Sequence, residues 1–331
     1  MLSQAIDSLA ASDLVERRTG QWGEQSSTFK ATEHLQSVAN QFGVNRWGLS
    51  LPLSRQMLVR LKDAKKQLLS CVGHGDTERW ADFLDGYNRF LAGHDIELVP
   101  EDDRGFSVRF KHKMWWEGVK EPELFRSHLY RVFNDGTFDH GGRLYGGWWQ
   151  HIPKLDRSSI FIDGEPTVEL DFSGFAIRSI YHQQGIDYRE DPYSLEPIEA
   201  YALELGKPRA HFREAIKALT QALLNGSADK HPERAKLALS FLPKFSRADV
   251  QGMIEQKHAL IGGAFRTQEG KRNQRLDSDI AMGVLEWMQR DAAPCLPIHD
   301  SFIVRLRDKD NLFNAMESCY YSKIGYYPII K

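Results

Sequence analysis

The chain has 331 residues, 27% of them charged and 41% hydrophobic, and its 43 Lys and Arg nearly balance 45 Asp and Glu for a formal charge of −2. That length suggests roughly two domains, or three small ones, and the near-neutral balance excludes a uniformly basic nucleic-acid binder, leaving only a local basic surface for such a role. The cysteines Cys71, Cys295 and Cys319 have no CxxC spacing, which argues against a disulfide framework and a structural zinc site.

No apolar run reaches the ~20 residues that span a bilayer, and no basic-then-apolar signal pattern opens the chain, so a cytoplasmic protein without a membrane partner is expected. Leu2 to about Ser12 reads as a helix and Leu14-Val15-Glu16 as a short strand. A polar, Gly-containing loop from Thr19 to Ser26 leads to a second strand, Ser27 to Lys30, and a helix from about Thr32 to Phe42. Helix, strand, loop, strand is the order of a winged-helix unit, and residues 1–45 resemble the back half of a bacterial winged helix-turn-helix. The residues alone fit a structural lobe equally well.

Residues 46–140 read as a mostly helical, thumb-like region with a β-hairpin. Leu51 to about Leu91 has a helical pattern with Ser54 as its N-cap, and Lys62, Lys65 and Lys66 read as a solvated face in preference to a phosphate track. The hairpin pairs Ile96–Val99 with Phe106–Phe110 and runs into Arg109, Lys111, His112, Lys113 and Trp115-Trp116. Cations beside rings suit single-strand binding. A strand that ends on a core tryptophan pair accounts for the same residues.

From residue 141 the signals sharpen. Thr167 to Phe172 reads as a strand with Asp171 near its end, followed by a helix through Ala176 to Tyr181; much later, Cys295 to Val304 reads as a hairpin whose turn carries His299-Asp300. Two carboxylates brought side by side can clamp two Mg²⁺ ions, or Mn²⁺, roughly 3.5–4 Å apart. An aspartate in a turn is more commonly a turn former. Between the two acids, Arg213 and Lys217 share one helix face, where both could grip a triphosphate or form a solvated basic face. Trp148-Trp149 reads as core in preference to a base-stacking platform.

The order of these pieces resembles that of the family A DNA polymerases and the phage-type single-subunit RNA polymerases, over about 190 residues from Gly141 onward. Gly142-Arg143-Leu144 and Ile152-Pro153 resemble the stretch ahead of motif A. Asp171-Phe172-Ser173-Gly174-Phe175-Ala176-Ile177-Arg178 resembles motif A, Asp-Tyr-Ser-Gln-x-Glu-x-Arg. Arg213, Lys217, Gly226 and Ser227 keep motif B spacing, Gln274 and Asp279 sit as the Gln and Asp of the helix before motif C, and His299-Asp300-Ser301 resembles motif C in its His-Asp-Ser form. Lys309 to Ile330 resemble the last helix and strand.

The resemblance implies an α+β right-hand palm with short fingers, counted from Arg209 to Gln274, over residues 141–331. It implies metal binding by Asp171 and Asp300, triphosphate binding by Arg213 and Lys217, and primer–template contacts from Arg143, Gln274 and His299. Nucleic acid and nucleoside triphosphates are the implied partners, with a replication protein as a further one, and no proofreading exonuclease is expected. Three positions depart from the pattern. Ala176 stands where DNA polymerases carry a glutamate that blocks a 2′-hydroxyl, which implies tolerance of ribonucleotides and a primase-like or RNA-synthesising enzyme. Asn225 replaces a pocket-sealing tyrosine, and Gln221 replaces a Phe or Tyr. These two favour the rival expectation, a non-catalytic palm that holds nucleic acid as a replication or regulatory scaffold.

Overall fold

The computed structural model describes residues 2–18, 28–41, 57–71, 74–98, 127–226 and 244–331. The chain divides into two compact units, residues 1–52 with 123–126, and residues 53–122 with 127–331.

The first unit contains α1 (Leu2–Ala11), β1 (Val15–Arg18), β2 (Thr28–Ala31) and α2 (Glu33–Gln41). The two strands pair antiparallel from Val15↔Ala31 to Arg18↔Thr28. Thr32 starts α2 where the sequence places it: its hydroxyl donates to Asp13 O at 2.6 Å and accepts from the Leu35 N–H at 3.2 Å, so it ties down a helix N–H that has no intrahelical acceptor. The expected order of elements is present, and the loop between the strands lies outside the described residues.

The second unit opens differently from the expected helix over Leu51–Leu91. Val59–Lys62 (β3) and Leu68–Leu69 (β4) form an antiparallel hairpin, and the helix α3 spans Gly75–Ala92. The turn has a local cause, since the Asp63 carboxylate accepts the N–H groups of Lys65 and Gln67, each at 2.8 Å, and Lys66 takes φ 67°. The other cause is remote: β3 pairs in parallel with β6 (Ser127–Asn134), which no local periodicity announces. Lys62 therefore lies in a strand, and Lys65 and Lys66 lie in a turn.

Over its described residues the expected thumb-like region combines the strands β3, β4 and β6 with one long helix, α3. Its expected end near residue 140 falls inside β7 (Thr137–Gly147), which pairs with β6. The sheet order is β4-β3-β6-β7. Ile96–Leu98 is a strand, β5, but it pairs with β8 (Ile160–Ile162). The rest of the expected hairpin, with Arg109, Lys111, His112, Lys113, Trp115 and Trp116, lies outside the described residues.

A second, antiparallel sheet has the order β10-β11-β9-β8-β5, with β9 at Glu165–Asp171, β10 at Cys295–Ile298 and β11 at Ser301–Arg305. Every residue of β10 and β11 is buried. The long helix α8 (Glu269–Arg290) packs on β10 and β7, while α9 (Lys309–Ile324) packs on β9, β11 and α8, an arrangement that matches the near-continuous apolar run of the hairpin. Trp148 and Trp149 belong to this core, and the Trp149 indole N–H donates to Pro297 O at 3.1 Å.

The remaining helices are α4 (Phe175–Gln183), α5 (Glu196–Glu204), α6 (Arg213–Leu224) and α7 (Arg247–Lys257). They share an apolar core that includes Ile177, Ile198, Ile216, Leu219 and Ile254. Arg209 sits in a 3₁₀ turn ahead of α6. The whole is a mixed α+β fold of sheets and packed helices.

Candidate active site

Asp171 ends β9, and Asp300 occupies the two-residue turn between β10 and β11. Register brings them together: Asp171 is the cross-strand partner of Ser301, and the Phe172 N–H donates to Asp300 O at 3.1 Å. On its other side, Asp171 exchanges backbone hydrogen bonds with Lys331 at 2.9 and 3.0 Å, so the strand end is pinned from both edges. The turn holds its own strain. His299 adopts φ 58°, a left-handed conformation uncommon outside glycine and concentrated at functional sites.

The two acids repel one another. Burial first, and the Asp300 charge second, push the Asp171 carboxyl up to about 6, against the pull of Lys154 and Lys217. The Lys154 ammonium lies 4.0 Å from the Asp171 carboxylate. Glu169, on the same face of β9, adds to the repulsion but is itself neutralised by Arg157 at 2.7 Å and hydrogen-bonded by the Ser301 hydroxyl at 2.6 Å.

That shift has a consequence for folding. An unfolded Asp titrates near ~4, so the folded chain retains a proton that the unfolded chain has lost between there and about 6. Stability present below pH ~4 is therefore lost as pH rises through about 6. Asp171→Asn is expected to melt above the wild type at pH 8 and level with it at pH 4. Equal melting temperatures at pH 8 would rule out Asp171 as a site of stored repulsion.

A third carboxylate completes the cluster. Asp277, on α8 and nearly inaccessible, accepts from Arg143 Nε at 3.0 Å. Burial drives its carboxyl upward, and Asp300 and Asp171 add to the rise while Arg143 opposes it. Arg143 on β7, a quarter exposed, is held above its ordinary value by Asp277 and Asp300, which outweigh its own desolvation. His299 is driven down to about 4 by burial and by Arg143, so it presents a neutral ring at neutral pH. Its Nδ1 is buried without a hydrogen-bond partner, and its ring meets Tyr145 edge-on at 5.9 Å.

The expected phosphate side is arranged unevenly. Lys217 on α6 is close enough to Asp171 to lower its pKa. Arg213 is instead held by Asp191 through two hydrogen bonds, at 2.7 and 3.0 Å, with its guanidinium 5.0 Å from the Tyr193 ring centre. Tyr193, buried and hydrogen-bonded by Gln221, lies within electrostatic reach of Asp300. Asn225 caps α6, donating to Gln221 O at 2.7 Å, and its amide lies so close to Gly270 of α8 that an added Cβ there would stand 2.5 Å from it. Gly226 takes φ 57°, and Ser227 lies outside the described residues.

Ala176 opens α4, and its carbonyl accepts from buried Asn273 at 2.7 Å. Gln274 is half-buried one helical turn before Asp277 on the same face of α8. Asp279, the acid that the family resemblance singles out on this helix, turns away to Arg131 at 2.6 Å and to Arg275. Asp277 takes the place beside Arg143 instead.

Among the solved structures similar to the chain is a polymerase domain. That structure is the POL domain of Pol1 from M. smegmatis in complex with DNA primer-template and dNTP, at 14% identity and a TM-score of 0.35, covering 77% of this chain and 51% of that one. The chain thus spans about half the length of that structure. No protein-family model and no curated protein matches it.

Sequence reasoning missed Asp277, Tyr193 and Lys154 as members of the site. The two-residue offset between Asp277 and Asp279 rotates them about 200° apart on a helix, and only packing decides which faces Arg143. Tyr193 carried a signal, the Asp191-Pro192-Tyr193 turn, but the use of Asp191 to hold Arg213 depends on contacts between α6 and the preceding loop. Among the described residues no group of three or more His, Cys, Asp or Glu side chains is arranged to hold a metal ion, and no helix is long and apolar enough to cross a membrane.

Proposed function

We propose that this chain is a template-directed nucleotidyltransferase in which Asp171 and Asp300 hold two divalent metal ions. The observation that supports it above all is the register that sets the end of β9 against the β10–β11 turn, where two like charges meet and leave Asp171 short of compensating charge. Such a donor set fits Mg²⁺, with Mn²⁺ as a substitute: hard oxygen ligands from one or two carboxylates, with the remaining positions left to water and substrate phosphate. The chemistry that the ions supply when bound is activation of a primer 3′-hydroxyl and neutralisation of charge on the departing pyrophosphate.

The protein's own groups supply position and charge. Lys217 reaches the triphosphate beside Asp171, and Arg213 joins it on release from Asp191. Gln221, Asn225 and Ala176 line the sugar and base pocket, while Arg143, Gln274 and neutral His299 contact the primer–template end. Arg143 is oriented for that contact by Asp277, which fixes its guanidinium in the interior of the site. The partners in this reading are nucleic acid, nucleoside triphosphates and a replication protein, and residues 1–45 supply a winged-helix-like DNA contact.

Ala176 sets the sugar preference. With a methyl group where a longer acid would meet the 2′-hydroxyl, ribonucleotides enter, which makes the activity primase-like or RNA-synthesising. Ala176→Glu is expected to lower the ratio of ribonucleotide to deoxyribonucleotide addition by roughly 10- to 100-fold, the scale of a steric overpacking penalty. A ratio unchanged in a variant that melts like the wild type would place the sugar elsewhere.

The direct test is extension of a labelled primer on DNA and RNA templates with either nucleotide class and with Mg²⁺ or Mn²⁺. Template-dictated growth supports the reading. Absence of growth in every combination, with primer–template still bound, supports instead a palm retained as a scaffold, the reading that the engagement of Arg213 by Asp191 and the Asn225 substitution favour.

A further inference from the structure

The sheet of β3, β6 and β7 presents a face of which the proposed reaction uses Arg143 alone. Leu129, Arg131 and Phe133 of β6 are buried, so alternation turns Tyr130 to the opposite face, where it is the register partner of Tyr145 on β7. Tyr145 is 37% exposed. Along β3, Leu61 and Val59 are likewise buried, and Arg60 and Lys62 alternate with them.

These side chains form a continuous line. The Arg60 guanidinium lies 3.6 Å from the Tyr130 ring centre, the Tyr130 and Tyr145 rings stack at 6.3 Å with 29° between their planes, and Tyr145 meets His299 at 5.9 Å. The line therefore begins at an arginine and ends at the residue next to Asp300. Lys62 adds positive charge at the outer end, as does Lys66, whose ammonium donates to Asn134 at 3.4 Å, and Arg143 adds it at the inner end. Of the other alternate positions of β6, His128, Val132 and Asn134, none is an acid, although Val132 is buried and Asp85 lies within electrostatic reach of His128. A chain of formal charge −2 thus places cations beside a tyrosine pair, of which Tyr145 is exposed, on one strip that leads to its acid cluster.

We propose that this face is a track for single-stranded DNA, with bases stacking on Tyr130 and Tyr145 and phosphates neutralised by Arg60 and Lys62, and with the strand running toward His299 and the acids. The track deepens the nucleotidyl-transfer reading and rests on it for the direction of the strand. Rings offer a π-face to any base and cations follow the backbone, so the contact is tolerant of sequence. Neither element requires a ribose hydroxyl, so single-stranded DNA satisfies the track in full.

A cross-strand tyrosine pair also stabilises a sheet by itself, so the test separates stacking from folding. The full chain would be titrated into a labelled oligothymidylate of about 12 nucleotides, a length within the range of single-strand sites, without divalent metal so that no turnover intervenes. Tyr130→Leu with Tyr145→Leu is expected to weaken binding about tenfold or more, while the corresponding Phe pair binds within about twofold of the wild type, because stacking is retained. Arg60→Gln is expected to reduce the slope of log affinity against log salt by about 0.7, the value of one phosphate contact on a single strand.

Leu variants that melt like the wild type and bind with wild-type affinity would overturn the track. So would a chain that binds the matching RNA while leaving the DNA free. The two readings fail separately: loss of binding in the Leu pair, in a protein that never extends a primer, keeps the track and removes the enzyme, whereas primer extension with unchanged binding in the Leu pair removes the track alone.

Discussion

Asp171→Asn and Asp300→Asn are each expected to lower template-directed nucleotide addition by roughly 10³-fold or more. Metal-ion stabilisation of transition-state charge is worth several kcal/mol, and each 1.36 kcal/mol is a factor of about ten in rate. The isosteric amides keep the backbone register of β9 with β11 and remove only charge, so the loss reports on the acids themselves. Single-turnover extension, with primer–template and nucleotide both saturating, is the measurement. Asp171→Asn should retain primer–template binding and melt above the wild type at pH 8, so stability and activity move in opposite directions. Extension at the wild-type rate in either variant would end the two-metal reading, whatever the other residues do.

Arg143→Met is expected to cost about 3–5 kcal/mol of folding stability at pH 8, the scale for removing one partner of a buried ion pair. Asp277 has almost no exposure, and Arg143 Nε is its hydrogen-bond donor at 3.0 Å. Without the guanidinium, the Asp277 carboxyl keeps the upward push of burial, Asp300 and Asp171 and loses the opposing pull. The variant then escapes part of the cost by protonating Asp277. Its folded state holds a proton that the unfolded state releases above pH ~4, so the deficit shrinks as the solution is acidified from pH 8 to pH 5.

Arg143→Met combined with Asp277→Leu is expected to recover most of the loss at pH 8, because an apolar pair of similar volume leaves no uncompensated charge. Urea unfolding at both pH values reads this out. A deficit that is the same at pH 5 and pH 8, and that persists in the double variant, would mean that Arg143 stabilises the fold through packing and that the pair is not the organising contact of the site.

The strongest likeness to a known enzyme class lies in the sequence order of short motifs rather than in any one of them. The placement of Asp171 and Asp300 was legible because each sits in a signal that local chemistry explains: a strand that ends in an acid, and two apolar strands separated by two polar residues. The tryptophan pair at 148 and 149 was legible as core for the same reason, since two large rings next to buried strands have few other places to go. The start of α2 was legible because Thr32 marks it through a side-chain hydrogen bond to the helix backbone, which acts over a few residues.

Where sequence reasoning failed, the deciding partner was far away in the chain. Val59–Lys62 carries a pattern compatible with a helix and becomes a strand because β6 supplies a parallel partner some 70 residues on. Ile96–Leu98 looked like half of a local hairpin and pairs with β8 instead. In the site, α8 offers Asp277 and Asp279 to its surroundings, and the packing of α8 against β7 gives Asp277 to Arg143 and Asp279 to Arg131. Arg213 has the spacing of a phosphate ligand, and its engagement by Asp191 is a contact that spacing did not announce.

By itself, then, the sequence determined what depends on neighbours a few residues apart: which segments end in an acid, how Thr32 starts its helix, and which motifs follow one another. Tertiary structure alone decided which charges meet. Charge pairing, strand register across long separations and the aromatic line from Arg60 to His299 depend on distances in space that no spacing along the chain encodes, because a strand finds its partner by burial and hydrogen bonding rather than by proximity in sequence.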